Sequence, residues 1–242
     1  MVMLVAGLAV ATPGSLRAQG GDGYLFKEPR VTLKFESGYG WQRASGDIFD
    51  FVISDYTVGR RDFDSPYLGG EIAVRANEQL DIAFGVGYQS SSTQSEYRDY
   101  VGTDDLPIVQ TTNLQQVPFT ASVKFYPFPR GTRVGRFAWI PRRVVPFVGA
   151  GLGVVRYQFV QDGEFIDFTT FDIYDATVRS ESSAFLMRAS GGVNVSLGKQ
   201  FVFSAEGRYN WADDEPIPGD FRDFNRIDLD GLQLIAGIAV RF

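Results

Sequence analysis

The chain has 242 residues, of which 44% are hydrophobic, 14% aromatic and 21% charged, with 27 Gly, 11 Pro and neither Cys nor His. Disulfides, thiolate or imidazole catalysts, Ser-His-Asp triads and the usual zinc, copper or haem ligands are therefore excluded, and no cofactor is expected. A formal charge of −6 lacks the basic footprint that nucleic acid rewards, so nucleic acid is not an expected partner.

The chain opens with MVMLVAGLAVA, an unbroken apolar run closed by Pro13 and Gly14. At about eleven residues it is too short for a membrane helix and has the build of a secretory h-region. Residues 1–19 are accordingly expected to be a signal peptide and residues 20–242 one barrel domain. No later stretch reaches the ~18 uninterrupted apolar residues of a membrane-spanning helix.

From residue 30 onward the apolar signal has a period of two, in stretches of about ten residues. Eight strands follow in chain order: 30–41, 66–76, 80–90, 115–126, 145–157, 184–196, 200–211 and 231–242. Their apolar faces are well defined: Leu33, Phe35 and Tyr39 in the first, Ile82, Phe84 and Val86 in the third, Phe119 and Val123 in the fourth, Leu234, Ile238 and Val240 in the last. Only 145–157, PFVGAGLGVVRY with its preceding Val, fills both faces with apolar residues and glycine.

A soluble sandwich wets its polar face, which should then carry long charged residues and little glycine. Here that face holds mostly Gly, Ala, Ser and Thr. Its few charges balance: Lys34, Arg75, Lys124, Arg188, Arg208 and Arg241 face Glu36, Glu71, Asp81 and Glu206. Small residues with sparse, matched charges suit a narrow interior, which predicts an all-β, eight-stranded antiparallel transmembrane barrel, apolar towards lipid and polar within. Closure is required, because hydrocarbon cannot satisfy the N–H and C=O groups of a strand edge. Seven residues, Lys34, Glu36, Glu71, Arg75, Arg188, Glu206 and Arg208, are the candidate lumen network.

The connections alternate long and short, placing 42–65, 91–114, 158–183 and 212–230 on one side and 77–79, 127–144 and 197–199 on the other. The four long loops hold 22 of the 29 acidic residues and only 7 of the 23 basic ones. The 127–144 turn instead carries Arg130, Arg133, Arg136, Arg142 and Arg143 with no acid. Two aromatic belts are expected. Tyr39, Trp41, Tyr67, Tyr88, Tyr157, Tyr209 and Trp211 form the outer one; Phe125, Tyr126, Phe128, Phe201 and Phe242 form the inner one.

Two motifs carry a family resemblance. PFVGAGLGVVRY (146–157), following a strand that ends KFYPF (124–128), and the terminal GLQLIAGIAVRF (231–242) resemble small outer-membrane β-barrel proteins of the OmpA, OmpX and OmpW type. The resemblance implies the cell outer membrane of a Gram-negative envelope as location and outer-membrane lipids as partners. It also implies that Leu234, Ile238, Val240 and Phe242 form the signal read by the barrel assembly machinery during biogenesis. Lipid-modifying enzymes of this type depend on a catalytic His; this chain has none, so that activity does not carry over.

Other chemistry is sparse. The acids Asp104, Asp105, Asp213, Asp214 and Glu215 match no spaced metal loop and read as solvated charge, with divalent cations or a surface ligand as candidate loop partners. Gly149, Gly151 and Gly153 continue into strand, not helix, and read as close backbone packing instead of a phosphate loop. Phe165, Ile166, Phe168, Phe171, Ile173 and Tyr174 make the third loop unusually apolar, as hairpins continuing above the membrane, as an adhesive edge or as a small hydrophobic ligand site. The expected function is non-enzymatic: a structural or surface-interaction role through acidic extracellular loops. The rival readings are a narrow channel for small or hydrophobic solutes, and a secreted soluble lipocalin-like barrel.

Overall fold

The structure, a computed structural model, describes residue 25 and residues 27–102, 105–135, 138–167, 169–170 and 172–242. The expected signal peptide, Asp104, Arg136, Phe168 and Phe171 lie outside the described residues. Eight strands form the wall: β1 (Val31–Gln42), β2 (Ser65–Arg75), β3 (Leu80–Val101), β4 (Pro107–Phe125), β7 (Val144–Ile166), β8 (Ile173–Ser196), β9 (Phe201–Asp214) and β11 (Gly231–Arg241). Three short strands stand outside the wall: β5 (Gly131–Val134) and β6 (Ala138–Pro141), which pair with each other, and β10 (Ile227–Asp228), which pairs with the upper end of β9. Each wall strand pairs antiparallel with the next, and β11 returns to β1 through Thr32↔Arg241 to Gln42↔Gly231, so the ring closes. No wall strand is left with an open edge at membrane depth, as hydrocarbon demands.

The burial pattern is inverted relative to a soluble barrel. Phe35, Phe84, Phe119, Val148, Leu152, Phe185 and Leu234 are all exposed on the outer face, whereas Lys34, Glu36, Lys124, Glu206 and Arg208 are buried on the inner one. On β3 the apolar outer face runs from Leu80 to Tyr88. At ~3.3 Å per residue and a tilt near 40° that run spans roughly 20–25 Å, the height of a membrane barrel's apolar band. The lipocalin-like alternative is overturned by this inversion, because such a fold buries its apolar face.

The strand expectations hold in place and order, with two physical differences. β3, β4, β7 and β8 run for 22, 19, 23 and 24 residues, far above the band: the third long loop is the continuing hairpin that was one reading of it, and the second, against expectation, is largely hairpin as well. On β7 the inner face is Gly149, Gly151, Gly153, Val155 and Tyr157, and the outer one Val148, Leu152 and Val154. A Cβ on Gly153 would sit 2.0 Å from the Phe119 carbonyl oxygen of β4, which is why glycine stands there and no phosphate loop is needed to explain it.

The aromatic belts are corrected as well. Tyr39, Trp41 and Trp211 are exposed on the outer face, but Tyr67, Tyr157 and, at the other end, Tyr126 are buried inward. Each hydroxyl reaches a lumen or loop partner there. Tyr67 donates to Glu36 at 3.4 Å and Tyr157 to Asp214 at 2.7 Å, while Tyr126 accepts from Asn194 at 3.5 Å.

The first long loop also departs from expectation. Residues Asp47–Asp55 form a nine-residue helix, α1, whose Ile48, Phe49 and Val52 are wholly buried. Their spacing puts the three on one face, and Asp47 and Asp50 in the first turn suit the positive end of the helix. Gly46 opens it at φ 102°, a conformation that favours glycine. At the opposite end the Arg-rich turn folds into the β5–β6 hairpin, whose Trp139 exchanges backbone hydrogen bonds with Leu25.

Candidate functional site

The lumen is layered. Its middle layer is an ion-pair network built on inward positions of neighbouring strands. Lys34 Nζ lies 2.7 Å from Glu36, 3.1 Å from Glu71 and 3.0 Å from Glu206. Arg208 Nη2 and Nη1 donate to Glu36 at 2.5 and 2.8 Å, and its Nε to Glu206 at 2.8 Å. Lys124 completes the layer at 2.5 Å from Glu71 and 3.5 Å from Glu206. Three cations thus face three carboxylates, which suits a low-dielectric interior where an unmatched charge is costly.

Five of the seven sequence-derived lumen residues meet in this layer. Lys124, left out of that set although its face parity was plain, is the sixth member. Arg75 stands apart at the barrel base, paired with Glu28 and donating to the Pro29 carbonyl at 3.4 Å. Arg188 lies above the network, donating to Asn210 at 2.7 Å and Thr120 at 3.2 Å. Its Nη2 is buried without an acceptor. Among the described residues, the one group of three carboxylates close enough to share an ion is Glu36, Glu71 and Glu206. Lys34, Lys124 and Arg208 already occupy the space between those carboxylates, so the arrangement is a neutralised network and does not fit a metal.

Above the network the lumen turns apolar. Leu114, Val155, Phe159, Ala184, Leu186 and Ala212 point inward from the wall and pack in one cluster with Ile48, Phe49 and Val52 of α1. Phe49 meets Phe63 and Phe159 edge-on at 4.8 and 5.9 Å between centroids, and Phe159 meets Phe221 at 5.2 Å. Helix α1 is therefore a plug seated in the barrel mouth on the side of the long loops.

Several loop acids turn out to tie this plug down. Asp47 accepts backbone N–H groups from Asn225 at 2.7 Å and Arg226 at 2.8 Å. Burial pushes its carboxyl up, but those donors together hold it below the ordinary value of 3.8. Buried Asp228 accepts from the Ser45 hydroxyl, and Asp230 accepts the Ala212 N–H at 2.8 Å. Burial, with Asp228 beside it, raises the Asp230 carboxyl. Asp213 and Asp214 do not converge on a shared centre: Asp213 faces Arg226 at 3.6 Å and Asp214 takes the Tyr157 hydroxyl.

Leu234 and Ile238 lie exposed on the outer face of β11, Val240 shares that face half-buried, and Phe242, just past the strand's end, is exposed. The closed ring, the lipid-facing apolar band and the neutralised polar lumen decide the class. This is the architecture of a small outer-membrane β-barrel. Its solvent in the middle zone is hydrocarbon, and its location is the outer membrane.

No family model matches the chain, and no curated protein does. Among solved structures it is similar to Neisserial surface protein A, at 13% identity over 88% of this chain and 97% of that one, with a TM-score of 0.49. It is similar also to a major outer membrane protein from Thermus thermophilus, at 13% identity over 88% and 99% with a TM-score of 0.47. A third is the Yersinia pestis attachment invasion locus protein Ail in complex with the heparin analogue sucrose octasulfate, at 13% identity over 88% and 99% with a TM-score of 0.43. At such identities and scores nothing about ligand or activity passes to this chain, and the architecture rests on ring closure and burial alone.

Proposed function

We propose that this chain is a non-conducting, non-enzymatic outer-membrane barrel that presents a rigid, acidic extracellular platform to a surface partner. The observation that carries the reading is closure of the lumen at successive levels: the Lys34–Glu36–Glu71–Lys124–Glu206–Arg208 layer, then the apolar plug around Phe49. Above the membrane, β3–β4–β7–β8 continue as one sheet, with β4 and β7 still paired at Gln110↔Gly163. Its flanks are the upper parts of β3 and β8, which extend past the ends of β2 and β9. Tyr56↔Tyr97 and the Arg179 N–H to Asp220 at 2.9 Å tether loops against these flanks without covering their full length. The excess of acids on this side favours a cationic partner through long-range attraction. On the same reading, Leu234, Ile238, Val240 and Phe242 present the closing strand to the assembly machinery.

Planar-bilayer recording with the purified barrel tests closure: no stable unitary steps are expected. Steps abolished by Arg188→Ala would overturn the reading in favour of the narrow channel. Retention of barrel-bearing vesicles on immobilised polylysine, lost when the Val101–Pro107 and Ile166–Ile173 hairpin tips are shortened, is the outcome expected for the platform. Retention unchanged by the trimming would contradict it.

A further inference from the structure

At the periplasmic end of the lumen, between the ion-pair layer and the Trp139 hairpin, lies a cavity of about 70 Å3. Its wall carries five cationic side chains, Lys34, Arg75, Lys124, Arg130 and Arg241, against the carboxylates Glu71 and Asp81. Four of the five have a carboxylate in contact: Lys34 and Lys124 touch Glu71, Arg130 meets Asp81 at 2.5 Å, and Arg75 meets Glu28.

Arg241 differs. It is only 9% exposed, and among the described residues no charged group opposes it. Its Nε donates to the Lys199 carbonyl at 2.7 Å, and its Nη2 to the Gly198 carbonyl at 2.9 Å and the Ser196 hydroxyl at 3.2 Å. Its guanidinium lies 5.2 Å from the centre of the Trp139 ring. These neutral partners satisfy donors but do not cancel the charge, which in a water-poor lumen favours a counter-anion. Asn194 and Tyr126 add polar atoms to the same wall.

Outside Trp139 a wider vestibule of about 1420 Å3 carries Lys27, Arg30, Arg75 and Arg133 against Glu28 and Glu78. A cation-rich mouth leading to a narrow cationic pocket concentrates anions. We propose that the cavity binds one small oxyanion of the size and charge of inorganic phosphate, which enters from the periplasm and is held by Arg241. With Nε and Nη2 engaged by backbone and hydroxyl oxygens, Nη1 is the nitrogen left to meet the oxyanion, and the space equals that of about two waters at ~30 Å3 each. Because the layer above is closed, the ion leaves by the way it entered, so the site binds and does not conduct. It shares the closed ion-pair layer with the platform reading, but unitary steps report on closure and a phosphate titration on binding, so the two failures are distinguishable.

Trp139 is the reporter. In a barrel carrying Trp41→Phe and Trp211→Phe it is the sole remaining tryptophan of three. Sodium phosphate is titrated at fixed ionic strength in uncharged detergent, and Trp139 emission is followed. The expected result is a saturating one-site curve, weakened at least tenfold by Arg241→Gln and abolished by Asn194→Leu, which fills the cavity without touching a charge. Arg142→Gln, an exposed cation outside the cavity, leaves the curve unchanged. A non-saturating response, an Arg241→Gln curve equal to the parent's, or an identical curve with sodium chloride overturns the proposal. If Arg241→Gln does not fold, Asn194→Leu decides: lost saturation supports the site, and unchanged saturation refutes it.

Discussion

Replacing Arg208 with Met tests the ion-pair layer most sharply. Arg208 is almost completely buried and donates to Glu36 at 2.5 and 2.8 Å and to Glu206 at 2.8 Å, so the substitution leaves two cations facing three carboxylates. Breaking a buried pair by removing one partner costs about 3–5 kcal/mol. Lys34 stays within 2.7 Å of Glu36 and 3.0 Å of Glu206 and offsets part of the loss, so a value near 3 kcal/mol is expected. The double variant Glu36→Gln with Arg208→Met restores a two-to-two balance and should lose only about 1 kcal/mol, about 2 kcal/mol less than Arg208→Met alone. Urea unfolding in phospholipid vesicles, followed by tryptophan emission, measures both. An Arg208→Met barrel within about 1 kcal/mol of the parent, or a double variant worse than the sum of its singles, would refute the reasoning. Conductance should stay absent in either variant, because the apolar plug is untouched.

Phe49→Ala empties a fully buried position between Phe63 and Phe159 and should cost about 3–5 kcal/mol of loop packing, seen as rapid proteolysis within 42–65 while heat-modifiable migration of the barrel persists. Gly153→Ala drives a Cβ into the Phe119 carbonyl oxygen and should block pairing of β4 with β7, so that the folded band fails to form. Acid should loosen the α1 plug. Asp47 has a lowered carboxyl pKa in the folded state, so its tie to Asn225 and Arg226 contributes fully above the ordinary value of 3.8 and is lost as pH falls through the lower folded value. Pepsin nicking of 42–65 measured between pH 4 and 2 should therefore rise more steeply in the parent than in Asp47→Asn. Equal slopes would contradict that linkage.

What was legible in the sequence followed from face contrast. Where one side of a strand is Leu33, Phe35 and Tyr39 and the other Lys34, Glu36 and Gly38, period two reveals the strand, its orientation and its solvent. The signal fades where both faces become polar, as in Ser90–Gln94 of β3, which is why the β3–β4 extension read as a loop, whereas the apolar third loop already offered a hairpin. Helix α1 was hidden by its charges: counting Asp47, Asp50 and Asp55 as acidic loop obscured the helical spacing of Ile48, Phe49 and Val52. Tyr67 shares the parity of Glu71, and Tyr157 that of Gly153, so residue type misled where parity pointed inward. Arg75 also has inward parity, but depth along the strand sets its partner, and the Glu28 that meets it comes from outside any strand. The same limit hid the buried duties of Asp228 and Asp230, whose partners Ser45 and Ala212 are remote in sequence.

Lipid contact of the outer face is the most direct thing to measure, and a chain without native cysteine makes it simple. Nitroxides are placed singly at Phe84, Phe119, Phe203 and Ile238, and for comparison at Ser122 and Ser190, in barrels reconstituted into bilayers. The first four should be relaxed strongly by oxygen dissolved in the hydrocarbon and little by a polar nickel reagent, whereas the two serine positions should be shielded from oxygen. The opposite pattern, with the aromatic positions sealed from oxygen and the serines open to the aqueous reagent, would contradict the account.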